Sequence, residues 1–300
     1  MPEPLFKRPL FKRLALVGIG LIGSSVARIA RERGDLANEI VVTARTQKTL
    51  DRVMQLGIAD RVELDPGRAV QGADCVMLCA PVGAFAELAT QIAPHLAPGA
   101  ILTDVGSTKV SVIRDIGPLV PEGVHFVPAH PIAGTEYSGP DSGFTTLFEN
   151  RWTLLTPPPG TDPASVETIA EFWRRCGSMV EIMEPVHHDR VLAIVSHLPH
   201  LIAFTICGTA DDLEDESREE VLKFAASGFR DFTRIAASDP VMWRDVFLNN
   251  RDALLEMLAR FMEDAQAMSR AVRWGDGDYI EDKVNRSRLI RQGLIERKQA

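Results

Sequence analysis

Apolar runs at 14–17, 39–43, 74–80, 100–105, 125–131, 152–156 and 179–183 punctuate the first part of the chain. Between several of them the apolar positions recur at helical spacing: after the first run as far as Arg33 and Gly34, over 84–96, from Lys109 onward, and over 163–176. Short, nearly continuous apolar runs alternating with amphipathic helices predict parallel strands buried on both faces, joined by crossover helices. Beyond Pro185 the strand-like runs stop and helical periodicity takes over at 191–210, 214–226, 231–236, 241–272 and 280–297. The expected fold is therefore α/β: an N-terminal doubly wound sheet over 1–184, followed by a mostly α-helical domain over 185–300. The 191–210 segment is apolar around most of its circumference, which predicts a central helix buried on several sides. Residues 1–12, proline-rich and basic, read as a loose lead-in.

The first strand runs into Gly18-Ile19-Gly20-Leu21-Ile22-Gly23, a G-x-G-x-x-G turn that opens a helix. Gly18 permits the tight turn, Gly20 lets backbone approach a pyrophosphate, and Gly23 lets the helix pack on its strand. The helix N-terminus then offers free N–H groups to phosphate oxygens. In that context the loop predicts a dinucleotide site, with Ala80 and Pro81 beside it at the end of the 74–80 strand. Where NAD-selective folds carry an acid for the ribose 2′-hydroxyl, this chain reads Ala44-Arg45-Thr46. Arg45 and Thr46 suit a 2′-phosphate, so the expected cofactor is NADP or NAD, with a lean to NADP.

Composition narrows the partners. The chain has 300 residues, 45% of them apolar, and a formal net charge of −8, which argues against nucleic acid or an anionic membrane and for a small-molecule substrate. Cys75, Cys79, Cys176 and Cys207 lack paired C-x-x-C spacing, so they read as buried thiols and no metal site is expected. No leader-like segment is seen, and no apolar run reaches the ~20 residues of a membrane span. The expected compartment is a reducing cytoplasm. A helical domain with this much apolar surface suggests closure by homodimerisation.

Four further motifs carry candidate chemistry: DVGSTK at 104–109, HPIAGTEYSG at 130–139, SHLPH at 196–200 and GFRDFTRIAASDPVMW at 228–243. His197 and His200 are three apart, with Pro199 between them to disturb the helix, and this is not the four-residue spacing of a zinc-protease helix. With the glycine loop, these motifs resemble the prephenate/arogenate (cyclohexadienyl) dehydrogenase family of tyrosine biosynthesis, over about residues 13 to 275.

The resemblance implies an NAD(P)-dependent oxidative decarboxylation of prephenate or arogenate, giving 4-hydroxyphenylpyruvate or tyrosine. It implies His130 as the base at the ring hydroxyl, a role for which an imidazole pKa near ~6.5 is suitable. Ser107 would orient that hydroxyl, with capping of the following helix as its ordinary alternative. His200 would contact the substrate side chain or its carboxylate, and His197 would shape the pocket or reach the cofactor. Arg234 would anchor a carboxylate through its planar fork of donors, with Arg230 as competitor, and Thr135 and Glu136 would stand at the pocket mouth. Asp231 and Trp243 would reach the site from the other subunit. Feedback inhibition by tyrosine, if present, would have to act at the active site, because no regulatory domain is expected after the helices. A β-hydroxyacid dehydrogenase is the alternative enzyme, disfavoured by SHLPH, and a non-catalytic dinucleotide sensor is the alternative of another class.

Overall fold

A computed structural model describes residues 8–135, 137–213, 220 and 223–296. Six strands, β1 (Phe11–Val17), β2 (Ala37–Thr43), β3 (Arg61–Glu63), β4 (Cys75–Leu78), β5 (Ile101–Asp104) and β6 (His125–Val127), form one sheet in the order β3-β2-β1-β4-β5-β6, every pair parallel. Their helices are α1 (Leu21–Arg33), α2 (Gln47–Gln55), α3 (Pro66–Val70), α4 (Phe85–Ile92) and α5 (Val110–Ile116). The strand order reverses between β1 and β4, and such a switch opens a crevice at the carboxyl ends of the strands.

The pleat sorts the core into two layers. Leu14, Leu16, Cys75 and Met77 face Val26, Ile29 and Ala30 of α1, while the intervening Ala15, Val17, Val76 and Leu78 face Phe85, Ala89, Ile92 and Val112. Strands buried on both faces are why these runs are apolar at every position. β3 escapes sequence reading because it is three residues long, charged and half-buried at the sheet edge.

The run at 125–131, expected as one strand, is two. Pro128 separates β6 from β7 (Ala129–Pro131), and β7 joins a second sheet with β8 (Trp152–Leu155) and β9 (Met179–Ile182), in the order β7-β8-β9. A proline cannot donate to a ladder, so the chain leaves the parallel sheet there. Helix α6 (Pro163–Arg175) adds Phe172 and Trp173 to the first core layer, with Phe148 edge-on to Trp173.

The helical part begins with α7 (Pro185–Leu192), passes through a π-helical turn at Ala193–His197, and continues as α8 (Leu198–Asp211). Proline at 199 removes one N–H from the helical ladder just after the wide turn. The expectation of a helix buried on several sides is corrected. Leu192, Ala193, His197, Leu198 and Ala203 are buried, but Ile194, Val195 and Ile206 are exposed. The expectation that no run reaches membrane-span length is also corrected: the 27 residues Pro185–Asp211 are long and apolar enough by length and composition, since isolated polar residues barely dilute the aliphatic ones.

Next come α9 (Ser227–Thr233), a 3₁₀ turn at Arg234–Ala237, and α10 (Pro240–Asn249). The helix expected at 214–226 lies largely outside the described residues. The stretch expected as one helix over 241–272 breaks at Asn250, where α11 (Arg251–Trp274) begins. Residues 1–251 form one compact unit and 252–300 another. In the second, α11 and α12 (Gly277–Glu296) are joined through a left-handed turn at Gly275 and an ion pair from Lys283 to Asp264.

Candidate active site

The glycine loop sits at the switch point, where Cys79 N donates to Val17 O. Gly18 has φ +102°, and a Cβ there would lie 2.8 Å from the Cys79 carbonyl carbon, so both conformation and space demand glycine. A Cβ at Gly23 would lie 2.7 Å from Gly18 O, whereas one at Gly20 would meet nothing within 4 Å. Gly20 is also the N-cap of α1 and supplies no side-chain cap. Uncapped first-turn amides beside open space fit a dinucleotide pyrophosphate. Ala80 and Pro81 follow the neighbouring strand, which ends at Leu78 rather than at residue 80. Arg45 is exposed after β2, and Thr46 caps α2, its hydroxyl accepting from Thr49 N at 3.2 Å.

One sheet position further on, β5 ends at Asp104, whose carboxylate is wholly buried and pairs with the equally buried Lys109. It also accepts from Gly106 N and Ala129 N. Lys109 Nζ donates in turn to Ala129 O at 2.7 Å, which ties the 105–109 loop to the strand carrying His130. Burial pushes the Asp104 carboxyl up and the Lys109 ammonium down against their mutual attraction. Ser107 lies half-buried in this pinned loop. The α5 amides it was expected to cap, Lys109 N and Val110 N, donate instead to Asp189 Oδ1 and Oδ2 at 2.8 and 3.0 Å. The Ser107 hydroxyl is left with no hydrogen bond to another described residue.

His130 is 7% exposed, and its Nδ1 lies 2.9 Å from His188 Nε2; His188 Nδ1 lies 2.8 Å from Asp189 Oδ1. Burial, then the charges of His188, Lys109 and His197, hold the His130 pKa well below the ordinary imidazole value. The ring is therefore neutral at pH 7 and able to accept a proton. Burial also lowers the pKa of His188, although Asp189 opposes it.

The neighbouring pair of histidines is held differently. Asn250 Nδ2 donates to Asp189 O at 2.8 Å and lies 2.9 Å from His197 Nδ1. His197 is almost fully buried, its Nε2 has no hydrogen-bond partner among the described residues, and burial lowers its pKa to about 4. His200 Nδ1 donates to Ser196 O at 2.9 Å, and its ring stacks on Trp243 at 3.7 Å and 23°. Burial, and then the positive charge of Arg234, lower the His200 pKa. Trp243 is buried against its own chain's His200.

Arg234 opens the 3₁₀ turn packed on α8 and is exposed, with no hydrogen bond or ion pair to another described residue. Thr135 is exposed, its hydroxyl accepting from Tyr137 N at 3.3 Å, and Glu136 lies outside the described residues. The fold thus links Ser107, His130, His197, His200 and Arg234 through adjoining elements. Sequence reasoning missed His188, Asp189 and Asn250, and gave Asp104 and Lys109 no role. The available signals were a buried-type Asp and Lys inside the 104–109 motif and a His-Asp pair just past the strand-to-helix transition.

Comparison with known proteins places the chain in a family. The nucleotide-binding domain model of prephenate dehydrogenase matches residues 26–182, and the dimerization domain model matches residues 184–285. A cyclohexadienyl dehydrogenase of Zymomonas mobilis is 39% identical over 287 residues, covering 95% of this chain and 97% of its own. The crystal structure of prephenate dehydrogenase from A. aeolicus, in complex with hydroxyphenyl propionate and NAD+, superposes with a TM-score of 0.86 at 32% identity, covering 94% of this chain and 98% of that one. Synechocystis arogenate dehydrogenase superposes with a TM-score of 0.79 at 26% identity, over 94% and 99% of the two chains. The chain belongs to the prephenate dehydrogenase family.

Proposed function

We propose that His130 is the base of a dinucleotide-dependent oxidative decarboxylation of prephenate, arogenate or both. The observation that carries this reading is a buried, neutral imidazole on β7, tied through Lys109 to the loop beside the dinucleotide crevice. A nicotinamide dinucleotide held by Gly18–Gly23 would supply the acceptor for the hydride that leaves the hydroxyl-bearing ring carbon. His130 takes the proton of that hydroxyl, loss of carbon dioxide makes the ring aromatic as a phenolate, and return of the proton from His130 to that oxygen yields 4-hydroxyphenylpyruvate or tyrosine. Aromatisation makes the step effectively irreversible.

Ser107 orients the hydroxyl, a role supported by its release from helix capping. Arg234 holds a substrate carboxylate with a guanidinium that no other described residue engages. His200 presents the Nε2 edge of a ring already fixed by Ser196 and Trp243, and His197 shapes the pocket from behind. Thr135 and Glu136 belong to the pocket mouth. Gly18–Gly23, Ala80 and Pro81 hold the dinucleotide.

NADP is favoured slightly over NAD by Arg45. Thr46 contributes less than its sequence position suggests, because its hydroxyl already caps α2. The working unit is a homodimer in the cytoplasm, with 1–184 binding the dinucleotide and 185–300 completing the substrate site and the subunit contact. A match to a dimerization domain and the exposed apolar side chains Ile194, Val195 and Ile206 support the dimer.

Initial rates with prephenate and arogenate, each with NAD+ and NADP+, test the substrate and cofactor assignments together. Turnover with neither substrate would reject the activity. Arg45→Asp is expected to weaken NADP+ binding about tenfold relative to NAD+, and unchanged discrimination would remove the lean to NADP.

A further inference from the structure

Two buried groups beside His130, namely His188 and Asp189, take no direct part in hydride or proton transfer. His188 is wholly buried on α7, next in sequence to Asp189, and its ring bridges the Asp189 carboxylate and the His130 ring. Asp189 is fixed from three directions. Its two carboxylate oxygens accept from Lys109 N and Val110 N, and its carbonyl oxygen accepts from Asn250.

The hydrogen-bonding capacities of these groups dictate the direction of every bond in the chain. A carboxylate only accepts, so the proton between Asp189 and His188 belongs to His188 Nδ1. A neutral imidazole protonated at Nδ1 has a lone pair at Nε2. The 2.9 Å contact from that atom to His130 Nδ1 therefore requires the proton on His130 Nδ1. What remains on His130 is a lone pair at Nε2.

We propose that Asp189 and His188 are positioning residues that lock His130 as its Nδ1–H tautomer, making Nε2 the atom that accepts the substrate hydroxyl proton. The inference rests on the reading of His130 as the base and deepens it by naming the reacting nitrogen and what selects it. When Nε2 takes the proton, His130 becomes an imidazolium whose Nδ1–H still points at the His188 lone pair. His188 in turn is oriented by a carboxylate that two backbone amides keep in place. The oxidised centre is the substrate carbon and the reduced one the dinucleotide, so this relay moves no electrons.

The same logic predicts how the relay fails in acid. Protonation of His188 at Nε2 would turn that atom from acceptor to donor and force His130 into the other tautomer, with its proton on the reacting nitrogen. The groups facing the pair are Lys109 and Asp104 from the β5 edge, Asp189 on α7 and His197 in the π turn. Burial and the Lys109 charge keep His188 neutral, in opposition to Asp189.

The test uses the full chain with His188→Phe, His188→Gln and His130→Asn, together with ¹⁵N-histidine NMR of the wild-type protein. Phenylalanine fills the space without an acceptor, whereas the glutamine amide oxygen can still accept from His130 Nδ1. His188→Phe is expected to lose about 100-fold in kcat, with KM and dinucleotide affinity within about twofold of wild type. His188→Gln is expected to recover about tenfold of that loss. The wild-type spectrum is expected to show His130 protonated at Nδ1 and bare at Nε2. A His188→Phe enzyme with unimpaired kcat beside an inactive His130→Asn would overturn the relay and leave His130 as base. Should His188→Phe not fold, a wild-type spectrum with the proton on His130 Nε2 overturns it equally. Full turnover in His130→Asn would remove the underlying reading itself.

Discussion

The dinucleotide crevice and the buried histidine network adjoin along the same sheet edge, yet they are built in opposite ways. The crevice is made from contiguous chain: a strand, a glycine turn and a helix N-terminus, where backbone amides and missing side chains provide the recognition. The network is made from separate stretches, at 104–109, 129–130, 188–197 and 250, and its buried polar side chains each hydrogen-bond to another member. Backbone recognition tolerates changes of neighbouring side chains. A buried polar network is cooperative, and removing one member strands the rest without water to replace it.

The sharpest way to break the comparison is Lys109→Met. It leaves the Asp104 carboxylate buried without its cation, and is expected to cost about 3–5 kcal/mol of stability. Urea unfolding measures it, and a loss comparable to that of an exposed lysine would show that the pair is not structural. Acid should expose the same asymmetry. His197 has a folded pKa of about 4, below its ordinary value of ~6.5, so between those pH values the unfolded chain binds the extra proton. Stability is therefore full above pH ~6.5 and falls as pH descends toward 4, by about 3 kcal/mol from this group alone. Unfolding midpoints that stay level between about pH 7 and pH 5 would contradict the buried neutral state. On the crevice side, Gly18→Ala should cost about 1–3 kcal/mol through its positive φ and the crowded Cys79 backbone, with dinucleotide affinity falling alongside. Equal damage to the pH dependence of turnover would blur the separation between the two regions.

The same contrast explains what could be read from the sequence. The parallel strands and the glycine turn were legible because their signals are local: apolar runs of strand length and a fixed spacing of Gly18, Gly20 and Gly23. His130, Ser107, His200 and Arg234 stand out as candidates only through short motifs that resemble a known family. His188 and Asp189 were not, because a histidine beside an aspartate on a helix looks like a solvated pair until β7 and α5 are packed against it. The short edge strand β3 left no apolar pattern to read. The exposure of Ile194, Val195 and Ile206 was equally invisible, since an all-round apolar helix looks the same whether its own chain or another covers it.

The pH dependence of kcat/KM tests the buried neutral base most directly. With His130 holding its pKa well below the ordinary imidazole value, activity should stay level as pH falls through ~6.5 and decline only in more acidic solution. An acid limb at or above ~6.5, or one that persists unchanged in the residual activity of His130→Asn, would contradict His130 as the base.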